Sequence, residues 1–176
     1  MITPEYARIL ARYNHWQNRS LIEAAHGLSD AQRWQDEGAF FGSIAETLNH
    51  ILWDDRIWLA RLRGDTETAA QIGATHPYTA TPRAWDDYVH ARTALDDEII
   101  EWADALTAED LAQSTPWIKG DTPVQTNFGF NLVHMMNHQT HHRGQVHALL
   151  TRFGATPQPT DLQMLEGGGV QSDPAA

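Results

Sequence analysis

The 176-residue chain contains no cysteine. No disulfide framework is available, and no thiol of the chain can act as nucleophile or metal ligand. Any metal must be held by His, Asp or Glu, and any sulfur chemistry must use sulfur brought by a small molecule. Basic residues are scarce: 12 Lys and Arg face 23 Asp and Glu, for a formal net charge of −11. That balance argues against a nucleic-acid or anionic-membrane partner, which would want a basic face. No run of eighteen apolar residues occurs, so no transmembrane helix is expected. The segment from Met1 to Leu10 has no basic region ahead of an apolar core. It does not read as a signal peptide, and the expected location is the cytoplasm. Tandem repeats are absent as well. The length suits one domain, large enough to bury about 70% of its unfolded surface. It is expected over 1–165, with 166–176 a disordered tail.

Histidine and tryptophan are plentiful, ten and seven. The tryptophans suit a helical core filled with large rings. Five histidines fall in residues 134–147, HMMNHQTHHRGQVH. On a helix, with about 100° per residue, His134, His138 and His142 fall within about 40° of one line. Phe128, Met135, Val146 and Phe153 lie near that line, so the three histidines sit on the apolar, core-facing stripe. His147 points away and His141 sits on the flank. Imidazoles four residues apart are close enough, roughly 5–6 Å at Cβ, to share one ion. His134 and His142 are about 12 Å apart along the axis and cannot share one. The pair is therefore 134 with 138, or 138 with 141 or 142, and a third ligand must come from elsewhere.

Start and stop signals divide the rest. Thr3-Pro4-Glu5 opens a first helix over about 4–26, with Gly27 as the stop. Ser29-Asp30 caps a single turn in the connection 27–42, where Phe40 and Phe41 are expected to tuck under the bundle. Ser43 to Glu46 matches a capping box for a second helix to about Arg63, ended by Gly64. Its stripe is Ile44, Leu48, Ile51, Leu52, Leu59 and Leu62. His50 lies on another face with Trp53, Asp54 and Ile57, which makes it the natural third ligand. Asp65 to Ala80 reads as a loop. Thr81-Pro82 repeats the start signal for a third helix to about 105. Its acids (Asp86, Asp87, Asp96, Asp97, Glu98 and Glu101) read as a solvated face. Thr107 to Asp110 caps a short turn, and Ser114 to Val124 reads as a hairpin-like loop. A fourth helix runs from near Asn127 to Gly154. The fold expected is all-α: a four-helix bundle with long connections and a short hairpin-like loop before the last helix. Trp34 and Trp117 are candidates to line a pocket or an interface.

Tyr13-Asn14-His15-Trp16, Phe41-Gly42-Ser43, the run from Leu48-Asn49-His50 to Asp55-Arg56-Ile57-Trp58-Leu59, and Asn137-His138-Gln139-Thr140-His141-His142-Arg143-Gly144-Gln145 resemble the DinB/YfiT-like family over about residues 5–165. The resemblance implies a four-helix bundle, often dimeric. One His from helix two and a His-x-x-x-His pair from helix four would bind a divalent metal, which here gives His50, His138 and His142. His134 and His141 then become neighbours of the ligands. Three imidazoles with open positions suit a catalytic site. Zinc is the default, and nickel, iron or manganese tolerate the same set. The family further implies metal-dependent transferases or isomerases that act on a small-molecule substrate with a low-molecular-weight thiol such as bacillithiol or mycothiol. A metal-bound thiol is deprotonated, and the thiolate is the nucleophile.

Three rival readings stand beside it. A zincin-type protease needs Glu after the first His, and Gln139 occupies that place. A metal-dependent hydrolase would use metal-bound water, with Asp54 or Asp55 orienting it or a ligand His. Asp55 reads more simply as a salt bridge to Arg143 or another basic residue inside the bundle. In a non-catalytic bundle, the metal would only cross-link helices two and four.

Overall fold

A computed structural model describes residues 2–76, 81–119 and 122–165, side chains excepted at 117–119 and 123. The expected tail, the end of the expected loop at 77–80 and the side chain of Trp117 lie outside the described residues.

Four long helices carry the fold: α1 (Pro4–His26), α3 (Ile44–Leu62), α5 (Trp85–Ala105) and α7 (Phe128–Arg152). Between them lie the short helices α2 (Asp30–Arg33), α4 (Thr66–Gly73) and α6 (Ala108–Ala112). Strands β1 (Ser114–Lys119) and β2 (Thr122–Asn127) form an antiparallel hairpin leading into α7. Helix α1 packs against α5 and α7, and α3 packs against α7 and, less extensively, α5. The apolar faces close on one cluster that includes Ala11, Leu48, Leu52, Ile99, Leu132, Met135 and Val146. Among the described residues, no helix is long and apolar enough to cross a membrane.

Most helix starts follow their sequence signals. Thr3 Oγ1 accepts from Tyr6 N at 3.2 Å, satisfying one of the amides a first turn leaves orphaned. Ser29 and Thr107 form complete capping boxes for α2 and α6. Ser43 departs from the expected box: its Oγ accepts from Glu46 N, but the Glu46 carboxylate accepts from the Ser43 hydroxyl at 2.9 Å. The Ser43 amide donates to Phe41 O instead.

Four further expectations are corrected. The loop read over Asp65–Ala80 contains α4, capped by Asp65 Oδ1 accepting from Thr68 N at 2.9 Å. Buried Ala69 then packs on Ile57 and Ala60. Helix α5 starts at Trp85, not at Thr81-Pro82, and its N-cap Ala84 makes no side-chain cap. Trp85 stacks on Tyr88 within that first turn, and tertiary contacts hold it there: it donates to His26 Nδ1 at 3.3 Å and lies under the Arg33 guanidinium. The acidic face of α5 is not all solvated, since Asp96 is buried against Arg92 and Asn18. Phe40 does not tuck under the bundle and is 81% exposed. Trp34 is half-buried, with the Arg83 guanidinium 4.7 Å from its ring centroid.

After α7 the chain runs back along α1. Trp16 Nε1 donates to Gln158 Oε1 at 2.7 Å, Gln17 Nε2 to Pro159 O at 3.0 Å and Tyr13 Oη to Thr160 O at 2.7 Å. The stretch after Pro157, patternless in the sequence, is thereby pinned to the first helix.

Candidate metal centre

Helices α3 and α7 bring His50, His138 and His142 together. The Nε2 atoms of His50 and His138 are 3.2 Å apart, and those of His142 and His138 are 3.1 Å apart. One ring nitrogen from each residue lies within 4.8 Å of the others, a group that could hold a metal ion. Two nitrogens on one tetrahedral ion at about 2.0–2.1 Å stand about 3.3 Å apart, close to both observed separations.

The far nitrogens decide how the near ones are protonated. His138 Nδ1 stands 3.0 Å from Asp54 Oδ2, and a carboxylate there holds the proton on Nδ1. His142 Nδ1 stands 2.7 Å from Gln145 Oε1, and an amide oxygen accepts only. Both Nε2 atoms therefore turn lone pairs toward each other. His50 Nδ1 is buried without a hydrogen-bond partner. A proton on one nitrogen relieves part of this repulsion, whereas a divalent cation takes all the lone pairs. The donor set, three imidazole nitrogens and no thiolate, fits zinc and the neighbouring divalent transition metals.

The electrostatics favour neutral imidazoles at two positions. Burial and the two neighbouring imidazoles push His50 down to about 4. Burial also lowers His142, partly offset by its bond to Gln145. At His138 burial works downward too, but the hydrogen bond and charge of Asp54 outweigh it and raise the group.

The loop before α3 forms one wall. Phe41 stacks on His50 with centroids 4.0 Å apart and 28° between planes, and its centroid is 5.2 Å from that of His142. Gly42 permits that turn: its φ is +81°, and a Cβ there would stand 2.8 Å from Glu46 Oε2.

The remaining histidines stay outside. His134 is exposed, not core-facing, and rests on Trp58 with centroids 4.8 Å apart. His141 is exposed, edge-on to His142. His147 is half-buried in a separate groove with Tyr13, Gln17 and Thr160. The centre of the buried face of α7 is occupied by Gln139, 0% exposed, and Arg143. Arg143 donates to Gln139 Oε1 and Asn14 Oδ1, and Asn18 Nδ2 reaches Asp96 and Gln139 Oε1. Asp55 pairs with Arg92 at 2.6 Å, so its partner is the other basic residue and not Arg143. Phe41 and Gln145 were absent from the residues singled out for the site. Gln145 carried a signal, standing one turn beyond His142 on the same face.

The chain is 25% identical over 162 residues to Protein DinB of Bacillus subtilis (strain 168), covering 89% of this chain and 91% of that protein. The model of the DinB family matches residues 1–169, and the chain belongs to the DinB family.

Proposed function

We propose that the protein binds one divalent metal ion through His50, His138 and His142, and uses it in a transfer or isomerisation reaction with a low-molecular-weight thiol. The observation that carries the metal reading is the convergence of three Nε2 atoms, at 3.2 and 3.1 Å from the central one. Zinc is the favoured ion and nickel, iron or manganese are alternatives. When bound, such an ion supplies a Lewis acid that holds a thiol as thiolate at neutral pH. The chain, having no cysteine, leaves the sulfur to a small molecule. Its own residues would orient that molecule: Phe41 offers an apolar wall over His50 and His142, and Gln145 and Asp54 fix two imidazoles.

For the hydrolase reading, Asp55 is engaged with Arg92 and not free to orient a water, whereas Asp54 stands beside His138, a role that reading also allows. We further propose a homodimer acting on a small-molecule substrate. The exposed rings of Phe40 and Phe130 offer apolar surface for such contacts.

The test incubates metal-loaded protein with an electrophile and glutathione, bacillithiol or mycothiol in turn. A rate above the thiol-only background with one thiol, abolished by chelation, is expected. No rate above background with any of them overturns the thiol reading. A large fall in melting temperature on chelation, without any such rate, would favour a metal that only cross-links α3 and α7.

A further inference from the structure

The three histidines are alike at Nε2 and unlike at Nδ1. His138 Nδ1 faces a carboxylate, Asp54 Oδ2, at 3.0 Å. His142 Nδ1 faces a neutral amide oxygen, Gln145 Oε1, at 2.7 Å. His50 Nδ1 is buried and faces no acceptor, and its ring is held by stacking on Phe41. His138 Nδ1 and Asp54 Oδ2 are both buried at ion-pair distance, and neither has a hydrogen-bond partner of regular geometry among the described residues, so each is available to the other. His138 is also the central member, with both short Nε2 separations running to it.

An imidazole that donates its far N–H to a carboxylate is fixed in tautomer and ring orientation and is a stronger donor at its near nitrogen. A neutral acceptor does the same more weakly. An unpartnered N–H does neither, and leaves a buried donor unsatisfied. Asp54 sits one turn after His50 on α3, whereas His138 sits on α7. The contact therefore ties the anchoring ligand on one helix to the helix that carries another ligand. A metal held this way crosses the α3–α7 interface twice, once through its ligands and once through Asp54.

We infer that Asp54 is a positioning residue that makes His138 the anchoring ligand, so that the histidines hold the ion with graded strength: His138 first, His142 second, His50 last. This rests on the metal reading of the preceding section. It assigns His50 as the ligand whose bond loosens first when the coordination number changes.

The test is a zinc titration of metal-free wild type, Asp54→Asn, Asp54→Glu and Gln145→Leu against a competing chromophoric chelator. Asp54→Asn keeps shape and an acceptor oxygen but removes the charge. It is expected to weaken zinc about 10–100-fold, with Asp54→Glu between it and wild type and Gln145→Leu weakened less than Asp54→Asn. In the cobalt-loaded protein, the Nδ1 proton of His138 should give a paramagnetically shifted signal whose solvent exchange quickens in Asp54→Asn. A purely structural Asp54 would not move that signal. Among the single ligand variants, His50→Ala should retain the tightest residual binding and His138→Ala the weakest. Zinc affinity of Asp54→Asn within about threefold of wild type, or a Gln145→Leu loss as large as its own, overturns the inference. So does residual binding in His138→Ala that matches or exceeds that in His50→Ala. Should Asp54→Asn fail to fold, Asp54→Glu and the His variants carry the same decision. Absence of zinc binding in the wild type would overturn the metal reading itself, an outcome distinct from all of these.

Discussion

Arg92 Nη1 and Asp55 Oδ2 meet at 2.6 Å between side chains that are 1% and 0% exposed. Arg92 also reaches Asp96 at 2.8 Å, so one guanidinium on α5 is shared between two buried carboxylates. Burial raises both acids, Asp55 to about 6, against the pull of Arg92. Arg92→Met should cost about 3–5 kcal/mol, because it strands buried charge. Asp55→Ala should cost less, since Arg92 keeps Asp96. Chemical denaturation of the two variants checks the order. In Arg92→Met the folded carboxylate pKa values lie above their unfolded values. Ionisation therefore works against the fold, and the deficit should shrink as pH falls toward the unfolded value of 3.8. A deficit that grows on acidification would contradict this account of the pair.

This buried layer marks where the sequence stopped being legible. Four helix starts are legible because caps state them locally, at Thr3-Pro4, Ser29, Ser43 and Thr107, whereas α4 reads as loop and the start of α5 reads too early. The hairpin before α7 was readable from its prolines and glycine. The pairing of His50 with His138 and His142 followed from helical spacing and family resemblance together. What could not be read was polarity satisfied across helices. Gln139 and Arg143 lie at the centre of the α7 core face because Asn14 and Asn18 on α1 meet them. Nothing within α7 announces that. Centred on His138, the stripe read from the sequence takes in His134, which is exposed. The acidic run of α5, read as a solvated face, takes in Asp96, which is buried.

Gly42 holds φ at +81°, and a Cβ there would crowd Glu46 Oε2 at 2.8 Å. Gly42→Ala should destabilise the protein by about 1–3 kcal/mol through the left-handed backbone alone. It should also loosen Phe41 from His50, because the two are joined by this turn. A thermal melt reads the first effect and a zinc titration the second. An Ala variant with wild-type stability would show that the loop rearranges at little cost.

His50 makes a pH-dependent contribution with a defined sign. Its folded pKa, about 4, lies below the ordinary 6.5, so between these values the unfolded chain binds more protons there. In metal-free protein its contribution is present above pH 6.5 and is lost as pH falls toward 4. Other groups titrate in the same range, so the quantity to measure is the stability of wild type minus that of His50→Asn. That difference should rise with pH across the window and flatten above it. A difference that is flat or falls with rising pH would contradict the burial of a neutral imidazole at this position.

Metal should stabilise the fold by mass action. An ion that binds only the folded chain adds about 4 kcal/mol at a free concentration a thousandfold above its Kd. The melting temperature should therefore climb with zinc and return on chelation. The four-helix core, whose apolar cluster contains none of the three histidines, should keep its helical signal in the metal-free state at ordinary temperature. Loss of helical signal on chelation at that temperature would place the metal among the requirements for folding.

The central claim is one ion held by three histidines. Its most direct measurement is the bound-metal stoichiometry of wild type, His50→Ala, His138→Ala and His142→Ala after loading with zinc and gel filtration. The expected result is one zinc per chain in the wild type and a large loss in each variant, deepest in His138→Ala. One zinc per chain retained in all three variants would contradict it.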